Sequence, residues 1–154
     1  MAKYWLIKSE PEDFSIDDLK RVKRAAWTGV RNYQARNHMR DMQPGDRVLF
    51  YHSNAAPPGV AGLAEVVRTG VVDPTQFDPK SDYYDAKSTR AQPRWDCAEV
   101  EYAETFPALL PLDRLRAEPA LDGMLLLARG MRLSVQPVSA PHYKKVLAMA
   151  GRKV

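Results

Sequence analysis

The segment from Gln43 to Val72 constrains the fold more than any other part of the chain. Gln43-Pro44-Gly45-Asp46 is a strong turn signal, because proline presets φ for the turn and glycine accepts the backbone that follows. Residues 47–52 (RVLFYH) then read as a strand, with Val48 and Phe50 on one face and Leu49 and Tyr51 on the other. Residues 55–59 form a Pro-Pro-Gly loop, and residues 60–72 a long strand bent at Gly62 or Gly70. Two strands joined by so short a loop are antiparallel neighbours.

The rest of the chain adds strands and short helices around this pair. Residues 3–8 (KYWLIK) predict a short buried strand closed by Ser9-Glu10-Pro11. Ser15 starts a helix with the S-x-x-D form of a capping box, Asp18 at its third position, and Phe14 and Leu19 placed as a hydrophobic staple. Ile16, Leu19 and Val22 make its apolar side. A second helix is predicted over residues 33–41, with Asn32 as N-cap and Ala35, Met39 and Met42 facing the core. Residues 73–94 have no apolar period but carry Phe77, Tyr83 and Tyr84, which favours an ordered flap over a linker. Residues 95–106 and 131–138 are further strands, and residues 112–116 and 121–127 helical turns. Pro141 fits the first position of a terminal helix with Tyr143, Val146, Leu147 and Ala150 on one face and Gly151 at its end.

Five or six mostly consecutive strands with short helices between them predict an α+β class: a small, strongly bent antiparallel sheet or pseudo-barrel with flanking short helices. At 154 residues, one domain spanning 1–154 is the natural expectation. The single cysteine, Cys97, excludes an internal disulfide and a cysteine-rich metal site, and suits a reducing cytoplasm. It is read as a small core hydrophobe. No apolar run is long enough for a membrane span, and the N-terminal one is too short for a signal peptide. A monomer is expected.

Residues 27–37, WTGVRNYQARN, are the least ordinary stretch. An indole and a glycine hinge are followed by amide and guanidinium groups that stack or pair along an edge. A nucleobase with its phosphates is one partner that asks for all three; the rival reading makes Trp27 a core residue and the rest a solvated helix. The net charge of +4 and isoelectric point near 9.2 are too mild to name a partner alone. The distribution says more: Lys20, Arg21, Lys23, Arg24, Arg31, Arg36 and Arg40 crowd around Trp27 with no Asp or Glu among them. Such a cluster is ordinarily a solvated surface; because this one surrounds Trp27 it is read as a phosphate-facing patch, with Arg24, Arg31 and Arg36 as its holders.

Enzyme motifs are absent: no Gly-rich phosphate loop, no H-E-x-x-H and no G-x-S-x-G. His38, His52 and His142 lie too far apart in sequence to suggest a metal site, and His52 and Ser53 alternate to opposite faces. No catalytic residue, metal or cofactor is predicted. The sequence offers a pocket instead, with Trp27 as one flat wall and a flap ring (Phe77, Tyr83 or Tyr84) as the other. Ser9 and Glu10 at the end of the first strand, and Ser53 and Asn54 at the end of the YHSN strand, supply hydrogen-bonding groups.

KYWLIKSEP, WTGVRNYQARN, GDRVLFYHSN, GVAGLAEVV, SDYYD with PRW, and RLSVQPVS together resemble the EVE domain over nearly the whole chain. The resemblance implies a PUA-like fold and a kinship with YTH domains, which hold a methylated adenine in an aromatic cage. It further implies a non-enzymatic reader of a modified base, C5-modified cytosine in DNA before RNA. Lys8-Ser9-Glu10 resembles the YTH run lining the base pocket, and Trp27-Thr28 its cage tryptophan and the residue after it. The second cage tryptophan has no counterpart in the flap, so Tyr84, Tyr83 or Phe77 must substitute. The base-binding set is then Lys8, Ser9, Glu10, Trp27, Thr28, Val30, Asn32, Ser53, Asn54 and Tyr84. Glu10 stands where the relative has an amide, and a carboxylate accepts from the N4 amine of cytosine. The alternative within the same fold is an RNA-binding module or an ASCH-type nuclease or amidohydrolase.

Overall fold

The computed structural model describes residues 2–152. Six strands form one sheet: β1 (Tyr4–Ser9), β2 (Arg24–Ala26), β3 (Arg47–His52), β4 (Gly59–Val72), β5 (Asp96–Pro111) and β6 (Val135–Val138), in the order β2-β5-β4-β3-β1-β6. Four helices flank it: α1 (Ile16–Val22), α2 (Tyr33–Asp41), α3 (Leu112–Arg116) and α4 (Ala140–Met149). The α+β class holds. The sheet is mixed rather than purely antiparallel, because β1 runs parallel to β3, and it stays open, with β2 and β6 at opposite edges.

The hairpin expected from the sequence is present, β3 and β4 pairing antiparallel from Arg47↔Glu65 to His52↔Gly59. Its register slips between Phe50 and Tyr51, leaving Ala61 as an extra residue beside Gly62. On the other side β4 slips against β5 between Arg68 and Val71, across Gly70. Both glycines predicted to bend the strand therefore sit at irregularities. Gly62 is also required by contact, since a Cβ there would lie 2.2 Å from the carbonyl oxygen of Glu104.

The alternation in β3 separates two apolar cores. Val48 and Phe50 join Trp5, Ile7, Leu19 and Met39 beneath α1 and α2. Leu49 and Tyr51 join Leu6, Leu115, Val146 and Leu147 beneath α3 and α4. Asp46 fixes the turn before β3: it is buried and accepts from the Lys3 N–H (2.9 Å), the Trp5 indole Nε1 (2.9 Å) and the Gln43 N–H (2.9 Å).

The helix ends follow local chemistry. Ser15 and Asp18 close the capping box on α1, and Asn32 caps α2 by accepting from the Ala35 N–H at 2.9 Å. Ala35, Met39 and Met42 are buried as their spacing required. Val22 departs from expectation and is exposed, since α1 stops there and turns away. In α4 Ser139 is the N-cap and Pro141 the second residue rather than the first, and Gly151 follows the helix at φ 73°. The short edge strand β2 was not foreseen, and β5 runs on to Pro111, five residues beyond the predicted end. Strand β6 covers only the last four of the predicted residues 131–138.

Candidate functional site

Trp27 is seated by the strand before it. Strand β2 pairs with β5, and the Trp27 N–H extends the ladder by donating to Ala98 O at 2.9 Å. Thr28 N then donates back to Ala26 O (2.9 Å), and Gly29 turns the chain at φ 83°. The half-buried indole meets Phe14 (centroids 6.0 Å, 74°) and Phe50 (5.6 Å, 85°) edge to face, so neither neighbour stacks flat against it.

Beside Trp27 lies an open cleft of about 1170 Å³. Lys8, Ser9 and Glu10 reach it from the end of β1, Thr28 to Arg31 from the turn after Trp27, and Ser53 and Asn54 from the end of β3. Ser9 Oγ donates to Phe14 O at 2.6 Å, and its own carbonyl accepts from the Ser53 N–H at 2.9 Å, which locks the two strand ends together. Asn54, in the left-handed region at φ 49°, donates to Glu10 Oε1 at 3.3 Å. Lys8 Nζ donates to Met131 O at 3.4 Å and lies 5.9 Å from the Tyr51 ring centroid; its partial burial pulls its pKa below the ordinary lysine value. Lys8, Arg31 and Arg132 line the cleft together with Glu10 and Asp13, so its electrostatic character is mixed.

The flap is pinned to this turn by Asp73. Its buried carboxylate accepts from the Gly29 N–H (2.8 Å), Arg31 Nη1 (3.1 Å), the Thr75 N–H (2.8 Å) and Thr75 Oγ1 (2.5 Å). Burial acts to raise its pKa, and the bonds from Thr75, Gly29 and Arg31 outweigh that and hold it below the usual carboxylate range. Deeper in the flap, the fully buried Gln76 donates to Asp73 O (2.6 Å) and Trp95 O (2.7 Å) and accepts from the Trp95 N–H (3.1 Å). The Tyr83 ring lies against Gly29, where an added Cβ would come within 2.9 Å of it.

Of the residues predicted to bind a base, Lys8, Ser9, Glu10, Trp27, Thr28, Val30, Ser53 and Asn54 come together on the cleft. Two do not. Asn32 spends its side chain capping α2, and Tyr84 lies off the cleft while Tyr83, equally exposed, borders it. Phe77 is turned to Arg90, whose guanidinium lies 4.6 Å from its centroid. The three predicted phosphate holders are occupied within the fold. Arg24 donates to Glu101 at 2.7 Å, and Arg31 bridges Asp73, Thr75 Oγ1 and Tyr83 O. Arg36 lies 4.6 Å from the Tyr33 ring centroid and donates to Arg94 O, and Tyr33 in turn stacks on Trp95 at 4.7 Å. Burial lowers the pKa of Arg36.

Asp13, Phe14, Met131, Arg132 and Ser134 also line the cleft and were not anticipated. Arg132 and Ser134 arrive because β6 pairs with β1 and the Lys8 N–H donates to Ser134 O at 2.9 Å. That pairing joins the two ends of the chain, and no local pattern announces it.

Similar proteins match nearly the whole of this chain, and solved structures among them share its fold. Thymocyte nuclear protein 1 of Danio rerio is 41% identical, the match covering 94% of this chain and 71% of the relative, and its Homo sapiens counterpart is 38% identical over 99% and 76%. A hypothetical protein from Leishmania major superposes with a TM-score of 0.94 at 49% identity, covering 98% of this chain and 96% of that one. The human THYN1 protein in complex with 5-methylcytosine-containing DNA superposes with a TM-score of 0.92 at 35% identity, covering 99% and 100%. With residues 3–149 matching the family described as EVE domain, on a PUA-like fold common to these relatives, the chain belongs to the EVE domain family.

Proposed function

We propose that this EVE domain binds DNA and takes a C5-modified cytosine, flipped out of its duplex, into the cleft beside Trp27, without transforming it. The observation that carries the reading is the convergence of Lys8, Ser9, Glu10 and Thr28 on one cleft whose wall is an indole that no aromatic neighbour among the described residues stacks upon. The likeness to the human protein that was solved with 5-methylcytosine-containing DNA supports it. Stacking on an aromatic ring contributes about 1–3 kcal/mol per base, comparable to the few kcal/mol needed to unstack one. Glu10, as an acceptor, suits the cytosine N4 amine, and the Thr28 carbonyl offers a second acceptor. Tyr83, held against Gly29, supplies the flap side of the pocket in place of Tyr84.

The test is a fluorescence-anisotropy titration of duplexes that differ only at one cytosine: unmodified, 5-methyl and 5-hydroxymethyl. The same sequences as RNA form a parallel arm. Wild type is expected to prefer a modified DNA duplex, and Trp27→Ala to lose the preference about tenfold while its circular dichroism stays native. A Trp27→Ala protein with unchanged selectivity would remove the indole from the site, and stronger binding to the RNA arm would reassign the partner. Incubation with DNA, RNA and acylated nucleosides is expected to return them intact; cleavage or deacylation products would move the cleft to a hydrolase.

A further inference from the structure

We propose that Lys20 and Lys23, beside the edge strand β2, form a phosphate track that holds the DNA strand on one side of the flipped nucleotide. The proposal rests on the reading that the Trp27 cleft takes a base from DNA, and it supplies the path of the strand leaving that cleft.

A second hollow of about 430 Å³ is lined by Lys20, Lys23, Arg24, Glu101 and Tyr102. It adjoins the cleft along a single stretch of chain: Lys23 and Arg24 border the hollow, and Ala25, Ala26 and Trp27 border the cleft. Arg24 and Trp27 are three residues apart, roughly 10 Å of extended chain. That matches the axial spacing of about three phosphates on one strand of a duplex. A strand whose base enters beside Trp27 therefore brings its neighbouring phosphates over this hollow.

The charges left over point the same way. Among the cations around Trp27, Arg24 pairs with Glu101, Arg31 with Asp73 and Arg40 with Asp96, while Arg36 lies over Tyr33. Arg21 pairs with Asp18. Lys20 and Lys23 are exposed and form no ion pair among the described residues. The one carboxylate in the hollow, Glu101, is balanced by Arg24, so the two ammonium groups are its surplus.

The backbone of Lys23 is the third observation. It lies at φ 74°, ψ −43°, near the γ-turn region that side chains disfavour and glycine tolerates. Its N–H donates to Leu19 O (2.7 Å) and its carbonyl accepts from the Tyr102 N–H (2.8 Å). Glycine would make both bonds without the strain. The ammonium group therefore does its work outside the fold, on a ligand at the rim of the hollow.

The experiment compares wild type, Lys20→Ala, Lys23→Gly and a control, Lys144→Ala on the exposed side of α4, against one duplex with a single 5-methylcytosine and its unmodified twin. Affinity is measured between about 50 and 200 mM salt. Lys23→Gly is expected to melt at a higher temperature than wild type and yet bind both duplexes several-fold more weakly. Each track substitution should lower the slope of log K against log salt by about 1, with the ratio between the duplexes unchanged. Lys144→Ala should keep the wild-type slope. Wild-type slopes in both track variants, with the preference for 5-methylcytosine retained, would overturn the track and leave the base reading standing. Reduced slopes in a protein without base preference would do the reverse, and a wild type that binds neither duplex would sink both.

Discussion

At the scale of single residues, His52 links the start of α1 to proton concentration. The N–H of Ile16, the first residue of α1, donates to His52 Nε2 at 3.1 Å, so the ring must keep a lone pair there. Burial lowers its pKa below the ordinary histidine value, and Asp17 opposes that only in part. A base with a depressed folded pKa favours its neutral form in the fold. Its contribution is complete above the unfolded pKa of about 6.5 and is lost as pH falls through the lower folded value. The urea midpoint is therefore expected to fall as pH drops from 7 toward 5. His52→Phe should start lower at pH 8 and show a shallower decline over the same range; an equal decline would place the titration elsewhere. The ring also stands edge-on to Phe50 (5.7 Å), which stands edge-on to Trp27, so protonation acts on the seat of the cleft wall. Cys97 is the quiet counterpart. Burial pushes its thiol up to about 12, which leaves it an inert core group, as its place in a strand suggested.

At the scale of elements, the flap depends on one carboxylate. Asp73→Ala removes the acceptor shared by the Gly29 N–H, the Thr75 N–H and Arg31 Nη1; Arg31 keeps Thr75 Oγ1 and Tyr83 O, but each N–H left without a partner costs about 1–3 kcal/mol. The variant is expected to be cut by protease within residues 73–94 under conditions that leave wild type whole, with the sites read by mass spectrometry. Because Tyr83 is held by Arg31 and Gly29, preference for a modified base should fall with it. Acid has the same effect on the native protein only below the usual carboxylate range, where Asp73 at last takes a proton. The order of the flap was legible from its aromatics, but its anchors were not: Asp73 and Gln76 act on Gly29 and Trp95, partners 44 and 19 residues away. Caps and turns were readable because Ser15, Asp18 and Asn32 act within three residues of themselves. The same limit explains the choice of Tyr84 over Tyr83. Adjacent rings look alike in sequence, and what distinguishes Tyr83, which borders the cleft, is the bare backbone of Gly29 that its ring lies against.

At the scale of the molecule, one sheet separates the core beneath the cleft from a second core on its far face. Both of its faces are apolar, but only one carries the cleft: Trp27 packs on the core that holds Phe50, Ile7 and Leu19, whereas Leu147, Val146 and Leu115 fill the core on the far side. Close packing transmits a cavity to its immediate neighbours, and the β3 backbone lies between the two cores. Deleting a large buried side chain from either should cost about 2–5 kcal/mol, through lost transfer energy and the void left behind. The consequences for binding should part company. Leu147→Ala, measured below its lowered melting temperature, is expected to keep the wild-type ratio of affinities for modified and unmodified duplexes. Phe50→Ala, with a similar loss of stability by urea unfolding, removes the ring edge that fixes the indole at 5.6 Å and should reduce that ratio several-fold. Equal losses of selectivity in the two variants would mean that the sheet transmits strain between its faces, and that the indole is held by the whole fold rather than by the core beneath it.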